Sequence, residues 1–148
     1  YGVFDEYRYF VPGEESCSID IEGIKISLAI CEDIWQDGGP ISEISKENSD
    51  LLIVINGSPF EHGKDDVRLD LLQKRVKQIN APIAYLNLVG GQDELVFDGD
   101  SIVVNKDGSV ASRSSQFVEE LVVFEFEKNK AIKPSIIRKR SDRYKWPQ

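Results

Sequence analysis

Two buried-strand patterns separated by one amphipathic helix constrain this chain most. Leu51-Leu52-Ile53-Val54-Ile55 is wholly apolar, and Ile83 to Val89 is nearly so. Continuous apolar runs of this length mark strands covered on both faces. Between them, Lys64 to Asn80 places Val67, Leu71, Leu72, Val76 and Ile79 near the helical period of 3.6. Pro82 ends the helix. A strand, a helix and a second buried strand in succession imply parallel pairing with the helix packed on the sheet.

The flanking segments extend that plan. Ser16 to Ile21 and Ile24 to Ile30 read as a hairpin turning at Glu22-Gly23. Ile24, Ile26, Leu28 and Ile30 share one face of the second strand, and Lys25, Ser27, Ala29 and Cys31 the other. Pro40 to Asn48 reads as a short helix with proline in its opening turn. Gly90 to Glu94 reads as a loop, Ser101 to Asn105 and Val110 to Ser114 as a hairpin across Lys106-Asp107-Gly108, and Leu121 to Phe126 as an alternating strand. Tyr1 to Gly13 is an aromatic-rich loop ending in Pro12-Gly13. The predicted fold is α/β, with a parallel centre and antiparallel edges.

Composition narrows the function. At 148 residues the chain is expected to form one domain. A net charge of −8 argues against a nucleic-acid partner, which requires cationic surface. There is no apolar run long enough to span a membrane and no secretory signal, so no membrane partner is expected. Cys17 and Cys31 are the two cysteines, and without a secretory signal they point to a reducing, cytoplasmic setting. His62 is the single histidine, which leaves zinc and a Cys-His dyad poorly supplied. A nucleophilic Cys31 would then draw on a carboxylate or a lysine as its base. The chain starts at Tyr1 and contains no methionine, as expected of a fragment. From Lys133 to Lys145 the cations Lys133, Arg138, Lys139, Arg140, Arg143 and Lys145 face one acid, Asp142. This stretch reads as a solvated linker, or else as a segment that docks on an acidic following domain.

Three loops leave the carboxyl ends of strands: Cys31-Glu32-Asp33, Asn56-Gly57-Ser58 and Gly90-Gly91-Gln92. Ligands of open α/β sheets gather at that edge. A cysteine at a sharp strand-end turn can be presented as a nucleophile, with following backbone N–H groups favouring thiolate and oxyanion. The competing reading is a small buried hydrophobe. Glu32 could equally be a carboxylate favoured at a helix start, Trp35 a core aromatic and Ser58 a turn residue.

Four motifs carry a resemblance. Tyr1-Gly2-Val3-Phe4-Asp5-Glu6-Tyr7-Arg8-Tyr9-Phe10, Cys31-Glu32-Asp33-Ile34-Trp35, Asn56-Gly57-Ser58-Pro59-Phe60 with Gly63-Lys64, and Gly90 to Gly99 together resemble the glutaminase domain of glutamine-dependent NAD synthetases. That domain belongs to the nitrilase, or carbon–nitrogen hydrolase, superfamily. The match runs from Tyr1 to about Phe126. The first and last motifs are specific to the synthetase branch, and the cysteine motif alone marks only the superfamily.

The resemblance implies an α-β-β-α sandwich, here truncated at its N-terminus, spanning residues 1–132, with 133–148 leading as a linker toward an ATP-dependent synthetase domain. It implies Cys31 as nucleophile and Glu6 as an assisting carboxylate. Tyr1, Glu32, Trp35, Ser58 and Lys64 would hold glutamine. No cofactor is implied for this segment; ATP and Mg2+ belong to the synthetase domain. The partners implied are that domain of the same chain and further copies in a homo-oligomer.

One departure accompanies the match. The superfamily uses a Glu-Lys-Cys triad, and its glutamate and lysine align upstream of Tyr1. The 148 residues alone are therefore expected to be poorly active or inactive, since losing a positioned base forfeits about 10²–10⁴ in rate. A lysine just before Tyr1 and a Ser-Gly-Gly nucleotide loop after Gln148 are the expected neighbours. A free-standing amidase of the same superfamily and a non-catalytic interaction module are the alternatives.

Overall fold

The computed structural model describes residues 8–11, 13 and 15–139. Among the described residues, ten strands and two α-helices follow in chain order: β1 (Cys17–Ile21), β2 (Ile24–Ile30), α1 (Gly39–Ile44), β3 (Leu51–Asn56), α2 (Lys64–Ile79), β4 (Ile83–Asn87), β5 (Val89–Gln92), β6 (Leu95–Asp98), β7 (Ile102–Val104), β8 (Val110–Arg113), β9 (Glu120–Glu125) and β10 (Lys133–Lys139). The main sheet has six strands in the order β1-β2-β3-β4-β7-β8. Strands β2, β3 and β4 pair in parallel, and β1, β7 and β8 join antiparallel. The parallel centre and antiparallel edges expected from the apolar runs are both present.

Helices α1 and α2 cover one face of the sheet. The core there joins Ala29, Ile41, Ile44, Leu52, Val54, Leu72, Val76, Ile79, Ile83, Tyr85, Ile102 and Val104. Small residues Ser27 and Ala29 are the buried side of β2, where they let α1 and the following turn approach the strand. The isoleucines of β2 line the opposite face, and Ile30 is 68% exposed. On that second face, Leu51 and Val103 pack with Ile132, Phe124 and Phe126, which arrive from the β9–β10 hairpin and its turn. Higher on the same face, Ile30, Ile55 and Leu86 lie in one register row and remain exposed.

Several expectations change. Helix α1 is six residues long, ending at Ile44 rather than Asn48. The segment Gly90 to Glu94 is not a loop: Val89–Gln92 pairs with Leu95–Asp98, so the turn is only Asp93-Glu94. Lys133–Lys139, read as the opening of a linker, pairs with β9. Val67 is 52% exposed, while Arg68 and Arg75 take the buried face of α2 with Leu72, Val76 and Ile79. Both guanidinium groups reach peptide carbonyls or carboxylates, which is how a charge survives in a core. Among the described residues no helix is long and apolar enough to cross a membrane.

Candidate active site

Strand β2 delivers Cys31 to the carboxyl edge of the sheet, half-buried and with a left-handed backbone at φ 45°. That conformation costs a non-glycine residue about 1–2 kcal/mol and turns the chain sharply out of the strand. Strained strand-to-helix turns of this kind expose a nucleophile at the top of a sheet. The expected helical continuation is a single 3-10 turn, Cys31–Ile34. The Asp33 carboxylate closes it by accepting the Ile30 N–H at 2.8 Å, and the Trp35 N–H donates to the Glu32 carbonyl at 2.9 Å. Ile34 is fully buried and Trp35 packs against the core, so one side of the turn is anchored. Glu32 is half-buried and accepts from the Gln36 amide at 2.5 Å.

Strand β3, the parallel neighbour of β2, ends beside it and leads to Ser58. The Asn87 side chain at the end of β4 grips the Ser58 backbone on both sides: Oδ1 accepts the Ser58 N–H at 2.9 Å, and Nδ2 donates to the Ser58 carbonyl at 3.2 Å. Arg68 completes the hold. Its Nη2 donates to the Ser58 carbonyl at 3.1 Å, and at 3.4 Å to both the Ser58 hydroxyl and the Pro59 carbonyl. Its Nη1 pairs with Asp98 at 2.7 Å, and Asp100 lies 4.0 Å away. Arg113 in turn grips Asp100 with two bonds of 2.7 and 2.9 Å. Burial works against the Arg68 charge, but the Asp98 hydrogen bond and the surrounding charges outweigh it, and its pKa rises.

Tyr85 lies on β4, paired with Val54 of β3. Its hydroxyl is buried without a hydrogen-bond partner. Burial pushes the phenol up to about 12; Arg68 and the adjacent Ser58 side chain oppose the rise, and the Cys31 and Asp98 charges add to it. The third loop also converges, since the Phe60 N–H donates to the Val96 carbonyl at 2.7 Å and ties the β5–β6 hairpin to the Ser58 loop.

Cys31, Glu32, Trp35 and Ser58 thus meet at one edge. Lys64 opens α2 and is ion-paired with Glu61 at 2.7 Å. Tyr1 and Glu6 lie outside the described residues. The diglycine is an exposed stretch of β5, so it lines the rim as strand and not as a phosphate loop. Sequence reasoning missed Asn87, Asp98, Arg68, Arg75 and Tyr85. For the arginines a signal existed: they share a helical face with Leu72, Val76 and Ile79, and a cation inside an apolar stripe implies a buried partner. Chemically, a half-buried thiol on a strained turn at the carboxyl edge of the sheet suits nucleophilic attack on a carbonyl carbon.

The family model for carbon-nitrogen hydrolases matches residues 2–132. A glutamine-dependent NAD(+) synthetase of Acinetobacter baylyi is 45% identical over 127 residues, covering 86% of this chain but 23% of that protein. The solved glutamine-dependent NAD+ synthetase of Acinetobacter baumannii, in complex with ADP, superposes with a TM-score of 0.74 at 43% identity, over 79% of this chain and 22% of that one. A mutant amidase of the nitrilase superfamily from Nesterenkonia AN1 superposes with a TM-score of 0.63 at 26% identity, over 72% of this chain and 40% of that one. The chain therefore spans about a quarter of the length of the synthetases it matches. With the family match running through nearly all the described residues, and the fold shared with a synthetase and an amidase alike, the chain belongs to the carbon-nitrogen hydrolase family.

Proposed function

We propose that this chain is the nucleophile-bearing part of a glutaminase domain, which in its longer parent protein frees ammonia from glutamine for ATP-dependent conversion of nicotinic acid adenine dinucleotide to NAD. Presentation of Cys31 on a left-handed turn, beside Ser58 at the neighbouring strand end, is the observation that carries this reading. Identity of 41–45% to synthetases along most of the chain favours this substrate over those of other amidases. ATP and Mg2+ would serve the synthetase part of the parent, to which residues beyond 139 would lead.

The reaction runs as acyl transfer. The Cys31 thiolate attacks the side-chain carboxamide carbon of glutamine, forming a tetrahedral adduct. The C–N bond then breaks, the nitrogen takes a proton and leaves as ammonia, and a thioester to Cys31 remains. Water adds to the thioester carbon, the C–S bond breaks, and glutamate and the thiol are released. Glu32 is suited to pair with the substrate ammonium group by a charge-assisted contact. Ser58 is suited to donate to a substrate oxygen. The general base and oxyanion lysine of the family would come from the parent upstream of Tyr1, with Tyr1 and Glu6 contributing from the N-terminal motif. The exposed row Ile30-Ile55-Leu86 fits this picture, as a face that the rest of the sandwich would cover. A homo-oligomeric parent is part of the same proposal.

The test is Cys31→Ala in the intact parent. Glutamine-driven NAD formation is expected to vanish while ammonia-driven formation persists. Retention of glutamine hydrolysis by this variant overturns the assignment.

A further inference from the structure

We propose that Arg75 is the positioning residue of the Cys31 turn, holding it through three consecutive carbonyls, the last of the turn and the two after it. The inference rests on the reading of Cys31 as nucleophile and deepens it. Arg75 is 1% exposed and sits on the sheet-facing side of α2, seven residues after Arg68. Its Nε donates to the Ile34 carbonyl at 2.8 Å, and its Nη2 to the Trp35 and Gln36 carbonyls at 3.2 and 2.7 Å. Its Nη1 reaches the Asp37 carboxylate at 2.9 Å and the Gln78 side-chain oxygen at 2.7 Å. All five guanidinium donors are in use.

The need for this grip follows from the turn itself. A 3-10 segment of four residues leaves its last carbonyls without partners inside the helix. Arg75 takes the Ile34 carbonyl that ends this segment and those of Trp35 and Gln36 immediately after it. At its other end the turn is tied to the sheet by the Asp33–Ile30 bond and the β2–β3 ladder. Between these two ties stands Cys31, in a conformation it would abandon if either end slackened. Leu72, Val76 and Ile79 lock α2 into the core, so the guanidinium has a rigid mount. A planar fork can meet three carbonyls in succession; the point charge of a lysine cannot. Helix α2 thus supports both halves of the site, with Arg68 under Ser58 and Arg75 under Cys31.

The experiment uses the intact parent protein carrying Arg75→Lys or Asp37→Asn. For Arg75→Lys, the second-order rate of Cys31 alkylation by iodoacetamide is expected to fall about tenfold or more, since small misplacements of a reacting group cost up to about 10²-fold. The kcat for glutamine hydrolysis should fall in parallel, with KM changing less than about threefold and ammonia-driven synthesis intact. Asp37→Asn spares the carbonyl contacts and should keep the alkylation rate within about twofold, because the Asp37 side of the pair is 77% exposed and solvent-screened. A folded Arg75→Lys protein that alkylates at the wild-type rate overturns the proposal, as does Asp37→Asn reproducing the loss. If Arg75→Lys does not fold, Asp37→Asn combined with Gln78→Leu decides: a rate near wild type supports the carbonyl grip, and a tenfold loss refutes it. Glutamine hydrolysis by Cys31→Ala would sink the nucleophile reading; an Arg75-independent thiol rate sinks only this one.

Discussion

Severing the Arg68–Asp98 pair is expected to destabilise this domain more than any nearby surface change. The two side chains are 0% and 1% exposed and meet at 2.7 Å. Removing one member of a buried pair leaves the other charge without compensation, at a cost of about 3–5 kcal/mol. After Asp98→Asn, Asp100 stays 4.0 Å from Arg68. At an effective dielectric near 20, the attraction at that range is about two-thirds of that at the shorter contact. The loss should therefore fall at the lower end, about 3 kcal/mol, or roughly 6–12 °C in the melting of a domain this size. Arg68→Met should cost a similar amount, because Asp98 then keeps only the Asn87 and Gln116 amides, each at 3.4 Å. The double variant should lose much less than the sum, with a coupling energy of about 2 kcal/mol or more. Calorimetric melts of the four proteins close the cycle. Singles costing under about 1 kcal/mol, or additive within about 0.5 kcal/mol, would refute the claim that this pair is buried and mutually dependent.

Tyr85 sets an alkaline limit. Its pKa lies above the ordinary 10, at about 12, so the folded state keeps a proton that the unfolded state has lost. The stability it contributes is whole below pH 10 and is lost as pH rises toward 12, a total of about 2–3 kcal/mol. Tyr85→Phe should flatten this decline in urea midpoints while changing neutral-pH stability by about 1 kcal/mol or less, the net worth of one hydrogen bond. A folded-state tyrosinate titrating at the ordinary value would disprove it. Gly99→Ala tests the crossing of the β5–β6 hairpin over the end of β4. Gly99 has φ 71°, and an added Cβ would stand 2.5 Å from Val89 Cγ2. A loss of about 1–3 kcal/mol is expected, partly recovered by Val89→Ala, and an unchanged melt would refute the crowding.

Local pattern alone determined the parallel centre. The apolar run of β3, the stripe of α2 stopped before Pro82, and the strand that carries Cys31 to an edge are each written in residues a few positions apart. The same strand pattern put the Cys31-Glu32-Asp33 and Asn56-Gly57-Ser58 loops at the carboxyl edge, where β2 and β3 end. Only the tertiary structure decided which side of β2 is buried, because Ser27 and Ala29 are small enough for a helix to approach while the isoleucines opposite need a second layer. It showed Gly90-Gly91 as strand, paired with Phe97 and Val96 across the Asp93-Glu94 turn, where two glycines carry no alternation to announce it. It also decided the fate of the arginines. A period of 3.6 says which face a residue occupies, but a guanidinium can be buried only where acceptors wait for it. Those acceptors come from 30 residues away for Arg68 at Asp98 and 41 for Arg75 at Ile34, a separation at which no local pattern records them.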